Sequence, residues 1–314
     1  MLSSVSIHRL AFDLPFPPNT AYAYLLPTDE PVLIDAGALG DSAWDELEAG
    51  LGAAGFEPSD VDHLFVTHPH TDHAGQVSRL LDVADPTLYT PIGVRERLLR
   101  DSDELAATVR TNSRAAGLPN PEDEVDDAVG SLERNRGLLP PDEIDVELEF
   151  GEPIQAGGVT IEPIHAPGHQ QNQAAFLVDD LLFAGDAIAE PFRPAALHVG
   201  LGRGCRDAID AFYGTLDRLA ALDVDRVYPG HGPIFDDLGA AVEESRDDLD
   251  ELVALSRDTL SDIAPATAYE VTEVRTDDPR RIGFEIYETV GALARLERQG
   301  VVNSSMDDGV RRYE

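Results

Sequence analysis

The chain has 314 residues, and 60 acidic side chains against 23 basic ones give a formal net charge of −37. Every basic residue is an arginine, so the composition is acidic and free of lysine. At low salt such charge repels free nucleic acid and destabilises a compact state, whereas molar salt, with a Debye length of about 3 Å, screens both effects.

Alternating strand and helix patterns run through residues 5–92. Residues 5–10, 21–26 and 32–36 read as strands, and 42–53 as a helix with Trp44, Leu47 and Leu51 on one face. The apolar run 63–67 predicts a buried strand, and the loop leaving it reads T-H-P-H-T-D-H-A-G over 67–75. Three histidines and one aspartate, His68, His70, Asp72 and His73, fall within six positions. Imidazole and carboxylate are the ligands of catalytic zinc sites. Side chains two apart on a loop point the same way, so His68 and His70 suit one ion. Asp72 and His73 are displaced in direction and suit a second. Pro69 stiffens the loop between the first pair.

From 93 to 145 the pattern becomes helical, with segments 94–99, 104–109 and 129–134 broken by Gly117-Leu-Pro-Asn-Pro121 and Pro140-Pro141. This is too long for a simple loop and predicts a helical insertion that walls a cleft. Strands resume at 146–150, 159–164, 174–178 and 181–184, the last two joined by an Asp179-Asp180 turn. A helix over 206–222, a short strand at 226–228 and a long acidic helix at 236–257 follow. Three strand ends repeat one grammar, an apolar run entering a polar turn beside glycine. They are His165-Ala-Pro-Gly-His169, Ala184-Gly-Asp186 and Pro229-Gly-His231-Gly232.

These four motifs, in this order over about residues 5–235, resemble the metallo-β-lactamase superfamily. The resemblance implies an α/β fold, a four-layer αββα sandwich. It places His68, His70 and His169 on one metal, Asp72, His73 and His231 on a second, and Asp186 between the two. It further implies two divalent ions, zinc first with manganese or iron as alternatives, a bridging hydroxide as nucleophile, and a proton-accepting role for Asp72. The stretch Leu33-Ile-Asp35-Ala-Gly37 resembles the family's early strand, with Asp35 orienting the histidine-rich loop. His165 reads as a packed strand-end residue. His198 lies where the family places substrate-facing loops, yet a lone histidine on an apolar stretch is more commonly packed. His8 and His63 fall within strand patterns and read as structural. Residues 170–173, Gln-Gln-Asn-Gln, would face the cleft and depart from better-known subfamilies.

Residues 258–314 read as a separate unit beside a hydrolase domain of 1–257. Helices at 259–263, 269–274 and 284–298 precede a hairpin of 301–304 and 310–313 around Met306-Asp-Asp-Gly309. This resembles a winged helix and the C-terminal extension of a lactamase-like subgroup that includes a single-strand endoribonuclease. The unit nevertheless carries 7 arginines against 12 acidic residues, where a nucleic-acid reader shows a basic stripe. A structural or dimerising role is therefore preferred, with a homodimer the expected assembly if there is one.

The leading expectation is a hydrolase of a small ester, thioester or lactone. The alternative is a phosphodiesterase or ribonuclease that holds a single strand with the C-terminal unit. A mononuclear iron dioxygenase would leave the second site unused, and a non-enzymatic regulator would leave seven candidate ligands without work. The single Cys205 excludes an internal disulfide. The N-terminus lacks a charged n-region before an apolar core, and no apolar stretch reaches spanning length. A cytoplasmic protein in a salt-filled, halophilic cell is expected, without a membrane partner. If so, the melting temperature rises steeply between 0.1 and 2 M KCl; a thermal scan that is flat over that range removes the halophilic reading.

Overall fold

The computed structural model describes residues 7–314. Its first strand, β1 (His8–Asp13), pairs antiparallel with β2 (Thr20–Leu26). The predicted start at Val5 and Ser6 lies outside the described residues. β2 pairs with β3 (Val32–Ile34), and β4 (His63–Phe65), β5 (Thr87–Pro91) and β6 (Val146–Leu148) continue parallel, giving sheet order β1-β2-β3-β4-β5-β6. β7 (Ile154–Ala156), β8 (Val159–His165), β9 (Ala174–Val178) and β10 (Leu181–Gly185) form a meander. After the short β11 (His198–Leu201), β12 (Arg226–Pro229) adds parallel to β10.

The two sheets face each other across an aromatic core. Tyr24, Phe65 and Tyr89 of the first sheet meet Phe176, Phe183 and Tyr228 of the second. The Phe65 and Phe176 rings cross edge to face at 5.5 Å, as do Tyr24 and Tyr228 at 5.3 Å. Helices α1 (Asp41–Ala54), α2 (Val77–Ala84) and α3 (Val94–Leu99) cover the outer face of the first sheet through Leu47, Leu51, Val77 and Leu98. The expected insertion continues as α4 (Ser102–Ala116) and α5 (Pro121–Leu138). Helices α6 (Ala208–Leu219) and α7 (Leu238–Ile263) cover the second sheet through Phe212, Leu216, Leu238 and Leu249. Helix, sheet, sheet and helix thus form the four layers.

The C-terminal part differs in detail from its sequence pattern. In place of separate helices at 236–257 and 259–263 the chain forms one unbroken α7, Leu238–Ile263, so position 257/258 lies inside a helix. Its apolar side stays in register across that point, with Leu252 and Leu260 both buried, and nothing breaks the turn. Helices α8 (Ala268–Arg275) and α9 (Ile282–Arg298) follow, then the hairpin β13 (Ser304–Asp307) and β14 (Val310–Tyr313). Val301 and Val302 were expected in the first hairpin strand. Instead the Val301 amide donates to Leu296 O and the Gly300 amide to Glu297 O, a helix-ending loop with Gly300 left-handed at φ 72. Pairing of Asp307 with Val310 leaves Asp308 and Gly309 as a two-residue turn, both at positive φ.

The insertion and the C-terminal helices share one apolar core, in which Leu105, Val109 and Leu132 meet Val271, Ile286 and Leu293. Within this seam the Tyr287 hydroxyl donates to Glu124 Oε1 at 2.6 Å. Burial lifts the Glu124 carboxyl from 4.5 to about 7, the Tyr287 hydrogen bond opposing and the Asp127 charge assisting. The fold therefore binds this proton more tightly than the unfolded chain does. Stability from this group is complete below pH 4.5 and is lost as pH rises through about 7. Glu124→Gln should raise the melting temperature at pH 8 and change it little at pH 4.5, as read in paired thermal melts.

Candidate metal centre

Parallel pairing of β3 with β4, Ile34 opposite Phe65, brings Asp35 beside the loop that leaves β4. Asp35 takes the left-handed region at φ 62. Its Oδ1 accepts from the Thr67 amide at 2.7 Å, and its Oδ2 accepts from the Thr67 hydroxyl at 2.9 Å and from the His73 ring at 2.8 Å. The hydroxyl hydrogen is thereby committed, so Thr67 Oγ1 accepts from His68 Nδ1 at 3.1 Å. His169 Nδ1 donates to Ala195 O at 2.8 Å, and His231 Nδ1 donates to Thr20 O at 2.8 Å. When neutral, in the tautomers these bonds define, His68, His73, His169 and His231 would each present a bare Nε2.

Those bare atoms converge. His70 Nδ1 lies 3.0 Å from His68 Nε2 and 2.9 Å from His169 Nε2. Asp186 at the end of β10 reaches His73 Nε2 at 3.3 Å, His169 Nε2 at 3.2 Å and His231 Nε2 at 3.4 Å. Asp72 Oδ2 stands 3.4 Å from His231 Nε2. All seven side chains singled out from the sequence meet at one place. They fall into three overlapping groups with metal-ligand spacing: His68, His70 and His169; His68, His73 and Asp186; Asp72, His73 and His231. Glycine permits the approach, for a Cβ on Gly230 would fall 2.5 Å from the His73 ring and 2.6 Å from Asp186 Oδ1.

The electrostatics ask for cations. Burial opposes ionisation of Asp186 and Asp72, but neighbouring imidazoles outweigh it and hold both carboxyls below their usual range, His231 leading for Asp186 and His73 for Asp72. Burial likewise opposes charging of His231, yet Asp186 and then Asp72 lift it to about 10. His70, buried and beside His169, is pushed down to about 3. The cluster thus has an all-histidine side at His68, His70 and His169, and a side where Asp72 and Asp186 lie among the imidazoles of His73 and His231. His73 Nε2 and Asp186 Oδ1 are both buried and face each other at 3.3 Å, with no well-formed hydrogen bond to either among the described residues. A buried polar atom without a partner is costly, and a divalent ion is the chemistry this donor set fits.

Other expected residues fall elsewhere. The His165 ring stacks on Phe150 at 4.1 Å, outside the cluster. His198 is buried, and burial and the Arg97 charge push it down to about 4, which leaves it neutral rather than a proton donor. Its backbone matters more, because its amide donates to His169 O at 2.7 Å. His63 lies against Tyr89. The Cys205 thiol is buried, and burial raises it to about 11. Of residues 170–173, Gln171 and Asn172 line a cavity of about 850 Å³ whose other wall is α3 and the start of α4. Gln173 is fully buried. Gln170 was singled out only as facing the cleft, but its side-chain amide touches His70 Nε2. Turned so that its unpartnered oxygen accepts from that nitrogen, it bares His70 Nδ1 as well. Thr67, Ala195 and Thr20 were missed altogether. Two of these act through backbone carbonyls, which leave no mark in a sequence.

An αββα sandwich here carries, at its strand ends, a buried His/Asp cluster that could hold divalent metal ions. Residues 16–231 match the model of the metallo-beta-lactamase superfamily, and the chain belongs to that family. A metallo-beta-lactamase fold-containing protein of Sulfurisphaera tokodaii is 29% identical over 132 residues, 42% of this chain and 46% of that one. An atrochrysone carboxyl ACP thioesterase of Aspergillus aculeatus is 23% identical and covers 92% of this chain and 80% of its own. The crystal structure of a metallo-beta-lactamase family protein from Thermus thermophilus superposes with a TM-score of 0.82 at 25% identity, covering 98% of this chain and 97% of that one. The chain spans about half the length of several of the curated relatives it matches. No helix among the described residues is long and apolar enough to cross a membrane.

Asp35→Ala would leave the Thr67 amide, the Thr67 hydroxyl and His73 Nδ1 without their acceptor. We expect a loss of about 3 kcal/mol in urea unfolding and at least about tenfold in metal affinity. An unchanged metal titration would show that the loop holds its shape without this carboxylate.

Proposed function

We propose that the chain is a two-metal hydrolase of small acyl substrates, esters, lactones and above all thioesters. The observation that carries this is the convergence of seven candidate ligands into three overlapping groups, one all histidine and two that include a carboxylate. In this reading His68, His70 and His169 hold one divalent ion, Asp72, His73 and His231 hold the other, and Asp186 joins both. Zinc suits the set best, and manganese or iron also suits it. Bound there, such ions polarise the acyl carbonyl and lower the pKa of water toward about 7. The chain's own groups then position and exchange protons. Asp72 keeps 15% of its side chain exposed, against 6% for Asp186 and 3% for Asp35. It is the carboxylate a water can reach, and its Oδ2 takes the proton from the attacking water. The thioester preference draws on relatives named as thioesterases, 24% and 23% identical to this chain.

Residues 1–257 carry the chemistry in this reading, and 258–314, the winged-helix-like extension, buttress the insertion. The extension's arginines do not favour a strand-binding role. Arg280 pairs with Asp278 at 2.7 Å, Arg281 with Glu285 at 3.0 Å and Arg312 with Glu270 at 3.3 Å, and Arg311 donates to Ser304. Each is engaged within the chain.

The test is turnover by metal-loaded protein in molar KCl on thioesters, lactones, phosphodiesters and single-stranded RNA. Thioesters should lead, and Asp186→Ala should lower the rate at least about a hundredfold. Faster cleavage of RNA or phosphodiesters would overturn the acyl reading.

A further inference from the structure

The cavity of about 850 Å³ has one wall from α3 and α4 and the other from Gln171, Asn172, Val199 of β11 and the segment after it. None of the seven candidate ligands lines it, but its second wall begins at Gln171, directly after Gln170, whose side chain touches His70. Four arginines line it, Arg95, Arg97, Arg100 and Arg203, which is unexpected in a chain carrying −37.

Two of the four are accounted for. Arg95 pairs with Glu147 at 3.2 Å, and Arg203 pairs with Glu104 at 2.7 Å. Asp101 is occupied as the helix cap that accepts from the Glu104 amide at 2.9 Å. Arg97 and Arg100 are different. Arg97 has one long bond, Nη1 to His198 O at 3.5 Å, and Arg100 Nε is buried without a partner among the described residues. Glu96 is exposed, and among the described residues it makes no ion pair with either arginine. Behind them Arg136 adds a third cation that donates to the carbonyls of Leu98 and Arg100 and to the Ser102 hydroxyl, not to a carboxylate. Burial, and next the Arg100 charge, pull Arg97 down to about 9. An arginine stays charged, so this corner lacks a counter-ion.

We infer that this cavity binds an anionic oxygen group of the substrate, a phosphate or a carboxylate, between Arg97 and Arg100. The planar guanidinium fork matches both groups. The hydrolase reading enters only in what the anion is attached to: the acyl substrate carries it on the side away from the scissile bond.

The experiment separates the two ideas and the two anions. Metal-free, full-length protein is titrated calorimetrically with 4′-phosphopantetheine and with glutathione, as wild type, R97Q, R100Q and R79Q. Arg79, paired with Asp41 at 3.1 Å on the surface, controls for simple loss of charge. Wild type should bind one of the two probes, which names the anion. R97Q and R100Q should weaken that binding at least about tenfold, and R79Q should not. Metal-loaded protein is then assayed on the acetyl thioesters of N-acetylcysteamine, 4′-phosphopantetheine and glutathione. The preference for the anionic thioester over the uncharged one should fall at least about tenfold in R97Q and R100Q. Absence of wild-type binding, or equal losses in R79Q, overturns the pocket even if thioesters are cleaved. Binding that depends on Arg97 with no thioester turnover upholds the pocket and overturns the thioesterase reading.

Discussion

One carboxylate sets the orientation of half the histidine loop. Asp35 receives the amide and hydroxyl of Thr67 and the ring N–H of His73, and through the Thr67 hydroxyl it also fixes His68. Two imidazoles are thereby turned with Nε2 inward before any ion arrives. A site assembled from mobile loop side chains would give up ordering entropy on binding; this one has given it up in folding. The parallel β3–β4 pairing makes the contact possible, since 32 residues separate Asp35 from Thr67.

The same dependence explains what the sequence revealed and what it did not. Histidine and aspartate are scarce enough, and close enough in 68–73, that their chemistry shows without a fold. The strand ends bearing His169, Asp186 and His231 show through the change from an apolar run to a glycine turn. The acceptors that orient these rings do not show, because Ala195 and Thr20 contribute carbonyl oxygens that any residue has. Gln170 was visible only as an unusual neighbour of His169, and its contact with His70 joins positions 100 apart. Boundaries near the C-terminus failed for a related reason. Val301 and Val302 have strand propensity, but closing α9 claims the Val301 amide, and Val302 packs into the shared core.

Charge follows the same logic at a larger scale. Most arginines sit against nearby carboxylates, as with Arg226 and Asp236 at 2.7 Å or Arg246 and Asp217 at 2.7 Å. Such exposed pairs contribute little to stability. They do leave the acidic surface with few free cations. Charge left without a carboxylate partner then stands out at Arg97 and Arg100, whereas Asp72 and Asp186 face the imidazoles of His73 and His231. Buried charge of either sign is costly unless something binds it.

The C-terminal helix is tied to the chemistry by a short route. Glu288 of α9 is 6% exposed, and its Oε1 accepts from the Ala196 amide at 2.9 Å and from Arg193 at 2.8 Å. Burial resists its ionisation, but the Arg193 guanidinium keeps its carboxyl below the usual range. Ala195, one of the two residues between those anchors, supplies the carbonyl that receives His169 Nδ1. Breaking one partner of a buried ion pair leaves the other charge stranded, so the loop carrying Ala195 cannot shift without disturbing α9. An extension that reads as a separate pattern in the sequence is thus mechanically joined to a ring of the candidate ligand cluster. The shared core of Leu105, Val109, Ile286 and Leu293 makes that joint stiff, and it couples the cavity wall at α4 to the same helix.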